Sequence, residues 1–561
     1  MCTIQSTPNP QTIDVATHWV SDGLAPCFQS WIRYNPVLIS AQTGQGKNHF
    51  IMNTLIPYAA QTGQRVVLLS NRIALSVQQK IALLHALQKP NIYSDDELIQ
   101  KETFDFVTVW SYQSVLSNLN KYRNYMTYFN SFPPHGYLIL DEAHFFTSDA
   151  PFNAETQSIL AALIQTFCWY KRIYMSATPD NVLPIISFYE NSELACRNQV
   201  PFFELFPSPP FSEYPPRNAS VCVYQFPRNY SNYNIKFLSS VDDLPKIITR
   251  TPKTEKWLCF INSKSQQKDL MKSLKEKTKR EVSHFDSSLR KVPNNKIWNK
   301  LIAGTFPGNI LLTTSVIDNG VNITDPAVKN IVIDATDKVS FLQMLGRRRV
   351  SSEDRINVFV LIPDHCTIVK RFRHIEKLLG FIKTYEENPR FFLIRTWENL
   401  DSDVRSLFFV DQNQNIILNK FAHYQLQCLS SFYSNLLFQM EIAEDPNNVY
   451  PSIILEWMHL SNSASDIQWE NNVEESACNE LQNFLNGYAV DGVPLENQNS
   501  FYKQVLDLLS RCQYSRPEER DDIRSPIATL NRHLAKLDSL SYQYQIKKEN
   551  NIYRIIRTPR K

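Results

Sequence analysis

The sequence predicts an α/β chain: two successive parallel-sheet domains, then a mainly helical C-terminal region. Three observations carry that prediction. Short apolar runs, β-branched or leucine-rich, recur with helix-length spacers between them, the pattern of strands buried on both faces. A proline-rich stretch, "FPSPPFSEYPPR", interrupts the series within residues 199–217. Beyond Thr367 long amphipathic segments replace the short runs.

The first series is "PVLIS", "RVVLLS", "FVTVWS", "YLILDEAH" and "RIYMSAT", which sets a first domain over 1–198. Proline disfavours helix and sheet alike, so 199–218 reads as an extended connector. A second series, "SVCVYQF", "KWLCFINS", "NILLTTS", "NIVIDAT" and "INVFVLIP", is spaced by charged helical segments such as "SQQKDLMKSLKEK" and sets a second domain over 219–368. Residues 369–499 read as a helical accessory domain: Ala422, Leu426, Leu429, Tyr433, Leu436 and Met440 recur at spacings of four and three and form one apolar face, too short for a coiled coil. Over 500–561, Ser525 suits a helix cap and Pro526 the first turn, and Leu530, Leu534 and Leu537 share a face. "YQYQI" and "IYRIIR" then flank "KKENN" as a hairpin. A helix followed by a basic hairpin resembles a winged helix; a small packing module with a solvated basic edge fits the same residues.

Composition bounds the rest. The chain has 561 residues, 43% hydrophobic and 12% aromatic, enough for about three or four domains. A net charge of +3 leaves nucleic-acid contacts to local basic surface. Ten cysteines without a C-x-x-C pair argue against a zinc ribbon, an iron–sulfur cluster or a disulfide framework and read as buried thiols in a reducing compartment. With no basic, then apolar, N-terminal leader and no apolar run of bilayer length, the expectation is a cytoplasmic protein.

"AQTGQGKN" (41–48) follows one apolar run and precedes a helix-compatible stretch, the setting of a phosphate cradle. Loop N–H groups there can point at phosphate oxygens while Lys47 reaches the β- and γ-phosphates. Gly44 and Gly46 stay next to the lysine in a chain with only 12 glycines. "DEAH" (141–144) ends a strand of the same series, where Asp141 can hold Mg²⁺ through water and Glu142 can orient or deprotonate an attacking water.

With these motifs in order the chain resembles a superfamily 2 helicase of the DEAH or DExH type, whose two tandem RecA-like domains the parallel sheets would form. "VVLLSNRIALSVQQ" (66–79) resembles motif Ia, "VTVWSYQSV" (107–115) a nucleic-acid-contacting motif, "SAT" (176–178) motif III, "CFINSK" (259–264) motif IV, "TTSVIDNGVNI" (313–323) motif V and "QMLGRRR" (343–349) motif VI. The match runs from near Val37 to near Pro363. It implies ATP and Mg²⁺ as cofactors. Nucleotide binding falls to Thr43, Gly44, Gly46, Lys47, Asn48 and Gln343, metal binding to Asp141 and Asn48, and catalysis to Glu142, Arg347 and Arg349. Coupling falls to His144, Ser176, Thr178, Asp318 and Gly320, and nucleic-acid contact to Arg72, Tyr112, Ser263, Lys264 and Thr314.

Two departures bear on this. Asn48 replaces the usual hydroxyl; its amide oxygen can ligate Mg²⁺ or a metal-bound water but is aimed differently, which predicts weaker metal binding. In motif VI the family's second arginine would fall at Val350, and Arg349 stands one residue early. The compressed "GRRR" is similar to that of viral origin-binding and some mobile-element helicases, which with the winged-helix-like end favours DNA. An RNA helicase, or a non-unwinding ATP-gated clamp within a replication or defence complex, stays open.

Overall fold

The computed structural model describes residues 10–199 and 221–559, apart from 71–72, 91, 123–130, 134, 287, 290–294, 315–320, 335–336, 351–352, 396, 398–399, 411–414, 461–465, 471–472, 490–491, 513–525, 536, 538–541 and 551. Arg72, Asp318, Gly320, Ser525 and nearly all of the proline-rich connector lie outside the described residues.

Eight strands form the first sheet: β1 (Gln11–Asp14), β2 (Val37–Ser40), β3 (Arg65–Ser70), β4 (Thr103–Phe104), β5 (Val107–Ser111), β6 (Gly136–Leu140), β7 (Lys171–Ser176) and β8 (Cys222–Gln225), in the order β1-β8-β2-β7-β6-β3-β5-β4. All pairings are parallel except β4 with β5. Successive side chains point to opposite faces. Val37, Ile39, Val66, Leu68, Ile139, Ile173 and Met175 therefore enter one buried cluster, while Leu38, Val67, Leu69, Leu138, Leu140 and Tyr174 enter another. The expectation for "SVCVYQF" is overturned: β8 pairs with β1 and β2 in the first sheet, so the chain passes the connector before completing its first layer.

The second sheet is wholly parallel, in the order β11-β12-β10-β13-β14-β9, from β9 (Tyr233–Leu238), β10 (Lys256–Phe260), β11 (Val282–Phe285), β12 (Ile310–Thr313), β13 (Val328–Ile333) and β14 (Ile356–Leu361). Two RecA-like domains with parallel sheets thus stand in tandem.

Long helices follow, among them His365–Glu387, Lys420–Ile442 and Pro446–Trp457. The apolar face of Lys420–Ile442 is buried at Ala422, Leu426, Tyr433 and Leu436. This region touches both sheets' domains. Asn419 Nδ2 donates to Thr156 Oγ1 at 2.9 Å and Asn153 O at 3.2 Å in the first, and Phe237 N donates to Gln468 O at 2.8 Å in the second.

At the end, helices Val473–Gly487, Gln498–Cys512 and Pro526–Leu534 enclose a core of their own, closed by an antiparallel hairpin of the strands Tyr542–Glu549 and Ile552–Pro559. Val493 and Tyr553 exchange both backbone hydrogen bonds, adding a single-residue third strand to the hairpin. Gly492, at φ +75°, makes that approach: a Cβ there would stand 2.6 Å from Ile552. Among the described residues no helix is long and apolar enough to cross a membrane. Cysteine burial is mixed, with Cys259 buried and Cys366 exposed, so the expectation of uniformly buried thiols does not hold.

Candidate active site

The carboxyl ends of β2, β6 and β7 build one wall of a cleft. After β2 the chain turns through the loop 41–46, with Gly44 at φ +98° and Gly46 at φ +84°, left-handed conformations that glycine adopts without strain. A helix then starts at Lys47–Phe50 and runs through a π-helical turn, Ile51–Leu55, into Ile56–Gln61. Residues just after β8 tie the loop down. Gln42 Nε2 donates to Asn229 O at 3.0 Å, Asn229 N donates to Gln42 Oε1 at 2.8 Å, and Phe226 N donates to Ser40 O at 2.9 Å. The unexpected sheet position of β8 thus has a purpose at the site. Lys47 Nζ donates to Ala41 O at 2.6 Å, and burial depresses its pKa against the pull of Glu142 and Asp141. Half-buried Asn48 makes no side-chain hydrogen bond among the described residues.

Beyond β6, Asp141 is buried, its Oδ2 accepting from Gln79 Nε2 at 2.6 Å and its Oδ1 from Glu142 N at 3.0 Å. Burial and the adjacent Glu142 push its carboxyl up. Glu142 adopts φ +52°, rare for a residue with a side chain, which turns its carboxylate into the cleft. Burial works against its charge, yet His144, Lys47, Arg347 and Arg349 outweigh burial and hold it below the ordinary carboxylate value.

The second sheet supplies the other wall. Helix Lys338–Leu345 leads into Gly346 and three arginines with three different fates. Arg347 Nη2 lies 3.9 Å from Glu142 Oε1. Arg348 turns back into its own domain, to Val328 O at 3.1 Å and Asp354 Oδ2 at 3.2 Å. Arg349 reaches the loop: a Cβ on Gly44 would be 3.8 Å from its Nη1, which is buried with no hydrogen-bond partner. Burial, with Arg347 nearby, depresses its pKa to about 10, still far above neutrality.

Between the walls, Gln343 Nε2 contacts His144 Nε2. An amide nitrogen only donates, so His144 Nε2 accepts and Nδ1 carries the proton, facing Ser176 Oγ at 3.3 Å and Glu142 Oε2 at 3.5 Å. Burial lowers the His144 pKa, favouring this neutral form. Ser176 Oγ also accepts from Thr178 N at 3.0 Å.

One cleft therefore gathers Thr43, Gly44, Gly46, Lys47, Asn48, Asp141, Glu142, His144, Ser176, Thr178, Gln343, Arg347 and Arg349. Ser263, Lys264 and Thr314 instead lie just past β10 and β12. There Ser263 Oγ caps helix Lys264–Thr278 and Lys264 pairs with Asp286 at 3.5 Å. Tyr112 is a correction. Expected to contact nucleic acid, it is fully buried, stacks on Phe145 with ring centres 4.4 Å apart, and donates to Asp141 O at 2.9 Å. It supports the acidic turn from beneath.

Sequence reasoning missed four contributors. Gln79 orients Asp141, and Gly346 admits Thr43. Asn322 Oδ1 accepts from Arg349 Nη2 at 2.6 Å. Half-exposed Trp19 stands where a Cβ on Gly46 would be 3.7 Å from its ring. Of these, "QQ" at 78–79 stands out as polar residues within an apolar helical stretch and Gly346 as the glycine before three arginines.

Two family models match the chain: the type III restriction enzyme res subunit over residues 25–181, and the helicase conserved C-terminal domain over residues 239–349. Together they indicate a superfamily 2 helicase that hydrolyses ATP. No curated protein matches. Among solved structures, the chain is similar to S. cerevisiae Dbp5 bound to RNA and ADP BeF3, at 14% identity and TM-score 0.41, covering 59% of this chain and 80% of that one. It is also similar to the Mycobacterium smegmatis helicase Lhr bound to ssDNA and AMP-PNP, at 15% identity and TM-score 0.42, covering 64% and 48%. A third is the DUF1998 helicase MrfA bound to DNA, at 12% identity and TM-score 0.42, covering 75% and 59%.

Proposed function

We propose that this chain is a DEAH- or DExH-type helicase or translocase that acts on DNA and hydrolyses ATP where its two sheets meet. The observation that carries the reading is the convergence of Lys47, Asp141 and Glu142 from one domain with Arg347 and Arg349 from the other. Phosphate fits such a cleft. The unpartnered Arg349 Nη1 beside Gly44 needs an acceptor, and loop N–H groups with Lys47 supply further donors.

The donor set also fits Mg²⁺ brought in by the nucleotide. Asp141 with the Asn48 amide oxygen suits an ion that keeps waters and phosphates as ligands, and no described cluster of three or more His, Cys, Asp or Glu side chains could hold a metal alone. Bound there, Mg²⁺ would offset phosphate charge.

Glu142, kept ionised, takes a proton from the attacking water as oxygen bonds to the γ-phosphorus. The bond to the β–γ bridging oxygen breaks, and ADP and phosphate result. Arg347 and Arg349 stabilise the charge that builds on the transferring group. His144, Ser176 and Thr178, with Asp318 and Gly320, couple this event to a nucleic-acid track contacted by Arg72, Ser263, Lys264 and Thr314. The terminal module, three helices and a hairpin with exposed Lys547, Lys548, Arg554 and Arg557, serves as a winged helix that adds phosphate contacts.

Steady-state ATP hydrolysis with no nucleic acid, single-stranded DNA, duplex DNA and single-stranded RNA tests the reading. Single-stranded DNA is expected to stimulate most. Greater stimulation by RNA would make the chain an RNA helicase, and DNA binding without strand displacement would make it an ATP-gated clamp. Glu142→Gln should bind ATP yet turn over about 10²-fold slower, whereas Lys47→Ala should weaken binding itself. Trp19 fluorescence, corrected with Trp19→Phe, follows that binding. Wild-type turnover in both variants would refute the assignment.

A further inference from the structure

The helix Ile73–Ala86, which follows β3, carries two consecutive glutamines. Neighbouring residues on a helix point about 100° apart, so the pair can serve different partners. Gln79 turns into its own domain and holds Asp141. Gln78 turns outward to the second domain. Its Oε1 accepts from Asn322 Nδ2 at 3.2 Å, and its Nε2 donates to Ile302 O at 3.2 Å, the last residue of helix Lys296–Ile302.

Asn322 spends its two ends in opposite directions. The nitrogen goes to Gln78, and the oxygen accepts from Arg349 Nη2 at 2.6 Å. That orientation is required chemically, because guanidinium offers only donors; a reversed amide would set NH₂ against N–H. Arg349 selects the oxygen end and the Gln78 acceptor, itself held by Ile302 O, selects the nitrogen end, so the amide is fixed from both sides. The Arg349 backbone is already pinned, its N donating to Ile323 O at 2.9 Å while Ile323 N donates to Arg347 O at 2.8 Å. What remains to be set is the direction of the side chain, and Asn322 sets it.

We propose that Gln78 is a positioning residue for hydrolysis: by fixing the Asn322 amide across the cleft it aims the Arg349 guanidinium at the phosphate loop. The inference rests on the reading of Arg349 as a transition-state cation. Its consequence is that one helix governs both sides of the reaction, Gln79 holding the acidic turn and Gln78 the arginine. Arg349 is then aimed only when this helix is docked against Ile302 and Asn322 of the second domain. Gln78 touches no reacting atom in this scheme and works entirely through Arg349.

The test is a double-mutant cycle on the full chain, reading kcat and KM for ATP with and without single-stranded DNA, and the thermal midpoint of each variant. Gln78→Met keeps the length of the side chain and removes the acceptor. It should lower kcat about fivefold to tenfold with KM changed less than about twofold and the thermal midpoint kept. Arg349→Ala should lower kcat further, and the double variant should be no slower than Arg349→Ala alone, because the two residues act as a unit. A double variant slowed by the product of the single effects would overturn the proposal, since Gln78 would then act independently, as plain domain glue. So would wild-type kcat in Gln78→Met beside an impaired Arg349→Ala. Wild-type kcat in Arg349→Ala would instead strike the reading of the arginine itself, and the positioning role with it.

Discussion

Gly346 has φ −72°, a backbone any residue tolerates, yet a Cβ there would stand 2.6 Å from Thr43 Cβ and Cγ2 and 2.8 Å from its hydroxyl oxygen. The demand for glycine comes wholly from across the cleft. Thr43 Cβ is fixed to the backbone and cannot swing away, so Gly346→Ala must push motif VI off the phosphate loop and carry Arg347 and Arg349 with it. Displacements of this size cost catalysis steeply. Gly346→Ala should lower kcat by about tenfold or more while the thermal midpoint stays near wild type, because opening the cleft relieves the clash without disturbing either core. Thr43→Gly in that background removes all three opposing atoms and should restore part of the turnover, whereas Thr43→Ala leaves the nearest Cβ and should not. Gly346→Ala with wild-type kcat would mean that the contact plays no part in turnover. "GRRR" is legible in the sequence as a basic cluster after a glycine. The different fates of Arg347, Arg348 and Arg349 are not, because they follow from Glu142 and Asn322, distant in the chain, and from Val328 and Asp354 closing on Arg348 within its own domain.

Among the elements, sequence was most informative where spacing is local. The strands from "PVLIS" to "INVFVLIP" declare themselves as short apolar runs between helix-length spacers, and the hairpin around "KKENN" by its polar turn. What stays hidden is which strand lies beside which. Parallel pairing is non-local, and "SVCVYQF" is apolar enough for either sheet. Its place beside β2 is settled by the loop contacts of Phe226 and Asn229. Tyr112 is hidden similarly, since its burial depends on Phe145 arriving from another strand's end. The accessory helix Lys420–Ile442 declares its apolar face but not its docking partner. That docking runs through Asn419, fully buried, whose oxygen caps the helix at Phe421 N while its nitrogen donates to Thr156 and Asn153. Asn419→Ala loses the cap and strands buried acceptors, for a combined cost of about 2–3 kcal/mol, and should lower the denaturation midpoint. Asn419→Asp keeps the cap but sets oxygen against Asn153 O and should be at least as damaging. A wild-type midpoint for the aspartate variant would show that the bonds to the first domain contribute nothing.

For the whole molecule, the question is what the last helices and hairpin add to a motor whose cleft is complete without them. Their core of Leu481, Phe501, Val505, Leu509, Leu530, Leu534, Tyr544, Ile546 and Ile555 forms a cluster separate from those of the two sheets. A cut before residue 525 would strip Leu530, Leu534 and the hairpin from that core and leave Phe501 and Val505 uncovered, so loss of binding after such a cut would confound misfolding with function. A cut after Glu470 removes the module whole and keeps the contacts that Gln468, Trp469 and Glu470 make with Phe237 and Lys236. The hairpin's exposed cations are unequal. Arg554 pairs with Glu549 at 3.4 Å and Arg557 leans over the Tyr542 ring, while Lys547 and Lys548 face solvent near the turn. Two to four phosphate contacts follow from that set, and on single-stranded DNA their loss should reduce the slope of log K against log salt by about 1.5 to 3. The shortened chain should keep basal ATPase, bind DNA more weakly and show that flatter slope when titrated across salt. Unchanged affinity and slope would leave the module a packing unit, and collapse of basal ATPase would mean that it supports the fold of the motor instead.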